Sequence, residues 1–377
     1  MKHQILRSFI FCVTVLCSIT AIGQSKFEQA PDEHGKLTTD KNARQFINSF
    51  KVLPGTKATS LENTVNAIRD AIAKLPKANA PIGYDTRIFF STSASSLKGG
   101  WPGMDVNCYL RILHKSMKTG VISASMDGAD LYVKINDFGL FAQMGNYWAA
   151  CSKLKLPLFF EAPPLTDSTN DFIEFNYKGD PIRIVTAGNR PLLVPLSRKE
   201  YLQFILVSRQ DALKDIAKTI KAKREGQLYL KSFMKTEKAE DTANTASAIK
   251  DMEYDIGEFQ KRQRETEQEL ADCKTLLGSM TLQDAVTPAR LNYDLKTNGS
   301  FGSISRLVPV GRREGVMLQK LNPEFYDSSS GAPAAQMIVL YYAWPKVAFT
   351  QDPNSVEQAV LDIFNGLDYH QLKESMK

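Results

Sequence analysis

The sequence predicts an α+β protein: a mainly antiparallel β-sheet body with flanking helices, into which a long, coiled-coil-like α-helical hairpin is inserted. Three observations carry this expectation. Short β-rich runs punctuated by turn residues fill residues 84–186. No proline occurs between Pro195 and Pro288, where the composition turns to Lys, Glu, Gln, Ala and Leu. After Pro288 the β pattern returns. The body is therefore expected over 59–196 and 280–377, and the hairpin over 197–279.

The first 23 residues, MKHQILRSFIFCVTVLCSITAIG, set Lys2 and Arg7 ahead of an apolar stretch from Ser8 to Ile19 and close on Ala21, Ile22 and Gly23. This is the pattern of a secretory signal peptide cleaved between Gly23 and Gln24. The stretch falls short of the roughly 20 apolar residues of a membrane span, and no later window of that length is free of charge. The mature chain is expected to be periplasmic or secreted, with no transmembrane segment.

Residues 24–58 are polar and read as a loosely ordered lead-in, with one short helix around ARQFINSF. Thr59 and Glu62 then form a capping box for an amphipathic helix over 60–75, where Leu61, Val65, Ile68, Ile72 and Leu75 share a face and Pro76 ends the run. The runs RIFFST, NCYLRILHKS, GVISAS and DLYVKINDF are strands, and Asp127-Gly128 fits a tight hairpin turn between two of them. FIEFNY and PIRIVT pair as a second hairpin across Lys178, Gly179 and Asp180.

In PLSRKEYLQFIL, residues 195–206, Ser197 is an N-cap, Glu200 stands three residues on, and Leu196 and Tyr201 occupy the positions of a hydrophobic staple. The charges of SRKE are therefore helix-start chemistry, since a phosphate site would also want a glycine-rich approach. That helix is expected from 198 to about 225, with Leu202, Leu206, Leu213, Ile216 and Ile220 on one face and Gly226 as an interruption. A second, over 243–277, repeats Ile249, Met252, Ile256, Phe259, Gln263, Thr266, Leu270, Cys273 and Leu277 at alternate spacings of three and four, a heptad seam. Strands follow in SISRLVPVG, GVMLQKL and QMIVLYYAW, and Asp352-Pro353 begins a last helix that carries Val356, Val360, Leu361 and Phe364 to Gly366.

The formal charge of +6 falls to about +4 when Lys2 and Arg7 leave with the signal, and acidic and basic residues are mixed throughout, so nothing points to nucleic acid. The mature chain keeps Cys108, Cys151 and Cys273, an odd set in which one disulfide is open, and only His34, His114 and His370. Cys108 and His114 share a strand but sit roughly 20 Å apart along it, too far for a nucleophile and its base. No clustered His and Cys suggest zinc, and neither DFGLFAQMGN nor DSTNDF has the alternating ligands of a calcium loop. Ser303 in GSFGSISR lacks the second small residue of a hydrolase elbow, since Arg306 stands there. No cofactor or metal is expected, and no catalytic residue is assigned.

Two surfaces stand out. LKGGWPGMD carries Trp101 on a glycine-rich loop, and GNYWAAC adds Tyr147 and Trp148; exposed aromatics on loops anchor sugars and proteins. The second is the seam of Ile249, Met252, Ile256, Phe259, Leu270 and Leu277, which would serve self-association or another protein's helices wherever the first helix leaves it uncovered.

The segments RPLLVPLSRKEYL (190–202) and LNPEFYDSSSGAPAAQMIVL (321–340) resemble segments of uncharacterised exported proteins of Gram-negative bacteria of the Bacteroidota type. The resemblance implies a periplasmic or secreted bacterial protein and brings no activity with it. The expected function is an interaction or structural module of the cell envelope. The competing expectation is a hydrolase of envelope or extracellular polymer, carboxylate-based, with the Trp101 loop in its site.

Overall fold

The computed structural model describes residues 27–49, 55–93, 103–137, 149–151, 156–162, 164–177, 179–187, 191–235, 239–292, 303–326, 334–343 and 355–376. The signal segment with Gly23 and Gln24, and the aromatic loop residues Trp101, Tyr147 and Trp148, lie outside them. The chain forms two compact units, one built from the chain up to Phe138, Pro164–Arg190 and Asp327–Lys377, the other from Gly139–Pro163 and Pro191–Tyr326. The compact unit that holds the hairpin is thus wider than the 197–279 drawn from sequence: it carries its own small sheet.

The first unit begins with β1 (Phe27–Gln29), β2 (Leu37–Thr39), α1 (Ala43–Ile47), α2 (Gly55–Lys74), α3 (Pro76–Asn79), β3 (Tyr84–Ser93), β4 (Gly103–Ser116) and β5 (Ile122–Ile135). The second contributes β6 (Ala149–Cys151) and β7 (Leu156–Glu161), and the first resumes with β8 (Leu165–Ser168), β9 (Ile173–Tyr177) and β10 (Asp180–Thr186). The second then takes β11 (Leu193–Pro195), α4 (Arg198–Phe233), α5 (Ala239–Ser279), α6 (Leu282–Val286), β12 (Arg290–Leu291) and β13 (Val316–Leu321). The first closes with β14 (Met337–Ala343), α7 (Val356–Gly366) and α8 (Tyr369–Glu374).

The large sheet of the first unit runs β2-β3-β4-β5-β14-β10-β9-β8, with β1 paired to the far end of β4. Every pairing is antiparallel except β2 with β3. The stretch read as a lead-in therefore holds, in its described part, two paired strands and a helix whose Ala43 and Ile47 are buried. Side chains alternate across the sheet, so Ile88, Cys108, Leu131 and Leu340 point to one face. There they meet Leu61, Ile68 and Ile72 of α2 and Val360, Ile363 and Phe364 of α7 in one core. Each fully buried side chain of this size contributes about 1.5–3 kcal/mol. Arg183 is drawn into the same face: its guanidinium lies 4.3 Å from the Phe364 ring and 4.9 Å from Phe172, and it donates to Glu174 at 2.8 Å.

Several sequence expectations give way. Asp127-Gly128 makes no hairpin turn; it lies inside β5, and the chain reverses at Met117–Gly120 instead. The glycine is there because a Cβ would fall 1.8 Å from the Leu110 carbonyl oxygen, beside the register shift between Arg111 and Leu113. Thr59 does not cap α2; the helix already includes it, and its hydroxyl donates to the Gly55 carbonyl at 3.1 Å while Glu62 pairs with Arg44. SISRLVPVG forms a 3-10 turn over Ile304–Arg306 in place of a strand, started by Ser303. The FIEFNY–PIRIVT hairpin forms as β9 and β10, with Gly179 at φ +99° in the turn.

The second unit is the helical pair on its sheet β11-β13-β7-β6, with β12 beside β13. Ser197 and Glu200 make the full capping box, and Leu196 and Tyr201 are both wholly buried in one cluster with Leu202, Ile205, Cys273 and Leu318. Helix α4 runs 36 residues without a break at Gly226, and α5 runs 41, about 54 and 62 Å at the α-helical rise. No helix among the described residues is long and apolar enough to cross a membrane.

Candidate functional site

The seam residues of α5 turn toward α4. Ile249 is buried, and Met252, Ile256, Phe259, Leu270 and Leu277 are half-buried. A Cβ at Gly226 of α4 would meet Met252 Cε at 3.5 Å, an ordinary van der Waals contact, so Met252 lies directly opposite this position. Lys223 stands 6.0 Å from the Phe259 ring and bonds Asp255 at 2.6 Å; Gln227 donates to Glu253 at 2.6 Å. Cys273, wholly buried, donates its thiol to the Leu202 carbonyl at 3.1 Å, and Leu277 packs on the cluster around Tyr201. Met252, Phe259 and Cys273 thus face the antiparallel fellow helix. Periodicity marks a buried stripe without saying whose side chains bury it.

What the hairpin leaves open lies elsewhere. Leu228 is 67 % exposed, Tyr229 66 %, Phe233 46 % and Tyr254 71 %. Leu228, Tyr229 and Phe233 fall in the last two turns of α4, and Tyr254 follows Glu253 of α5, which pairs with Gln227. Tyr229 and Phe233, one turn apart, stack with centroids 6.2 Å apart and planes 12° apart. The expectation that the first helix stops near 225 hides this group, although GQLYLKSF already repeats large apolar residues at helical spacing.

At the opposite end of the pair, Glu269 accepts from Arg209, from the Ile304 amide at 3.1 Å and from the Ser303 side chain, and so ties the Ser303 turn to α5. Burial alone would raise its carboxyl, but these donors hold it below the ordinary range. Glu200 behaves alike, held down by Lys320 and the Ser197 amide. A cleft of about 640 Å³ lies beside Glu269, lined by Arg264, Gln268, Asp272 and Ser305.

Among the described residues the cysteines and histidines stand apart from one another. Cys108 is wholly buried, and burial pushes its thiol up to about 12; Cys273 is likewise pushed up to about 11. His114 lies on β4 with Cys108 but half-exposed, and His370 bonds Asp171 at 3.1 Å on the surface. Asp105 and Asp137 approach each other through Lys134, whose ammonium is 3.3 and 3.5 Å from them. Among the described residues no group of three His, Cys, Asp or Glu side chains is placed to hold a metal. Compared with family models, with curated proteins and with solved structures, the chain has no significant match.

Proposed function

We propose that the chain is an exported protein of the cell envelope that works as an interaction module, with its contact surface at the connected end of the α4–α5 hairpin. One observation carries the reading: Leu228, Tyr229, Phe233 and Tyr254 are all exposed, and Tyr229 stacks with Phe233 one turn on. Exposed large apolar and aromatic groups are the usual core of a protein contact. Export is supported by Lys2, Arg7 and the apolar stretch ahead of Gly23 and Gln24. The hydrolase alternative would draw on Asp105 and Asp137, but both already bond Lys134, and this favours the interaction reading.

The test is an affinity capture from envelope extract with the mature chain and with the Tyr229→Ser, Phe233→Ser double variant, both checked for helix content by circular dichroism. The same samples are run in sedimentation velocity. A partner or self-association present with the first and lost with the second supports the module. Equal behaviour of two well-folded baits overturns it.

A further inference from the structure

Among the described residues the helices of the first unit pack on one face of the large sheet, and the other face, on which Val339 and Ile184 are buried, carries a row of aromatic side chains. Phe89, Tyr109, Tyr132 and Tyr341 come from four adjacent strands, β3, β4, β5 and β14, and all are half-buried. Their ring centroids step 4.6, 6.3 and 4.9 Å across the sheet. The register makes the row: Tyr132 stands opposite Tyr341 on one side and opposite Asn107 on the other, and Tyr109 opposite Asp130.

We propose that this face is a binding site for a neutral, polyhydroxylated ligand, a saccharide chain laid across the aromatic row. The argument is independent of the hairpin contact. Most charged groups around the row are paired with one another: Arg111 with Asp130 at 2.6 Å, and Lys134 with Asp105 and Asp137. Arg111 also lies 4.2 Å from the Tyr109 ring, and Arg87 lies 5.3 Å from Phe89. Cations so engaged do not form the open basic track that phosphate or nucleic acid needs.

What remains unengaged has the chemistry of hydroxyl recognition. The phenol groups of Tyr109 and Tyr341 make no hydrogen bond among the described residues, whereas that of Tyr132 donates to Asp130 at 2.9 Å. Asp105 is only 8 % exposed, and its Oδ1 has no donor, although Oδ2 takes one from Lys134. A buried acceptor left without a donor is unfavourable, and a ligand hydroxyl is a donor that relieves it. Oδ1 is shielded from water in the ligand-free chain, so a hydroxyl reaches it only as neighbouring side chains shift. Burial, then the nearby Asp105 and Asp137 carboxylates, raises the Tyr341 phenol and keeps it a donor. The rings alternate edge to face, at 78° and 75° for the first two steps, which gives no flat platform for a base but offers ring edges and faces to the C–H surface of a sugar.

The experiment is a binding screen of the mature chain on an array of bacterial and plant glycans. It is followed by calorimetric titration with the best responder and with inorganic phosphate as the charged control. The Tyr109→Phe and Tyr341→Phe variants keep the rings and the fold and remove only hydroxyls. Each is expected to weaken saccharide binding about fivefold or more. Tyr229→Ser on the hairpin is expected to leave binding unchanged, which separates the two surfaces. A silent array, tighter binding of phosphate than of any saccharide, or undiminished binding by the Tyr109→Phe, Tyr341→Phe double variant overturns the assignment.

Discussion

Two glycines sit inside helices where none is structurally demanded. Gly226 is in the interior of α4 and Gly257 in that of α5, and both helices continue through them. A Cβ built on Gly257 meets nothing within 4 Å, and one on Gly226 meets Met252 Cε at 3.5 Å and Sδ at 3.6 Å, ordinary van der Waals contacts. Neither alanine therefore clashes, and each should recover the helix-propensity difference of about 0.8–1 kcal/mol. Gly226→Ala should add a little from the new contact with Met252. The two sites share no partner, so the effects should add to about 2 kcal/mol. In a unit of this size that raises the melting temperature by roughly 4–8 °C. The assay is thermal and urea unfolding followed by circular dichroism, with hydrogen exchange on α4 and α5 to localise the gain. If Gly257→Ala lowers stability, or slows no amide of α5, the continuous helix on which the reasoning rests is wrong.

Arg183→Lys should cost the first unit about 2–3 kcal/mol, read as a lower urea midpoint, because an ammonium cannot both hold Glu174 and lie flat against Phe364 and Phe172. Glu200 and Glu269 titrate lower in the folded chain than in the unfolded one. Their contribution is therefore present above about pH 4.5 and is lost as the pH falls through the folded values. Unfolding of the second unit from neutral pH down to about pH 3 should show the loss, and the Glu200→Gln, Glu269→Gln double variant should flatten it. Cys108 and Cys273 should be inert to a thiol reagent at about pH 8 in the native chain, so Cys108→Ala and Cys273→Ala leave the native thiol count unchanged and lower it only in denaturant.

The features legible in the sequence are those fixed by neighbours along the chain. The Ser197–Glu200 capping box, the turn at Gly179 and the helical stripes of α4, α5 and α7 each follow from residues within one or two turns. Features set by distant chain were misread or missed. Asp127-Gly128 looks like a turn, but what demands Gly128 is the Leu110 carbonyl on the next strand. How far the first helix covers the α5 seam is not legible either, because nothing in the seam's own periodicity shows that Met252 meets Gly226. Likewise each strand shows an aromatic or two, yet only cross-strand register places Phe89, Tyr109, Tyr132 and Tyr341 in one row.

The position of β14 governs the order in which the first unit can be completed. It lies between β5 and β10, and among the described residues no other strand joins the two sides of the large sheet. Asn136, held at φ +58° just after β5, binds the approach to β14 at both ends of its amide, to the Ala334 carbonyl and the Gln336 amide, each at 2.8 Å. A nascent chain that has not yet delivered Met337–Ala343 therefore owns two part-sheets with unsatisfied edges facing each other. Those edges are hazards if the pause is long. The large sheet is therefore complete only once Met337–Ala343 has been made and paired on both sides.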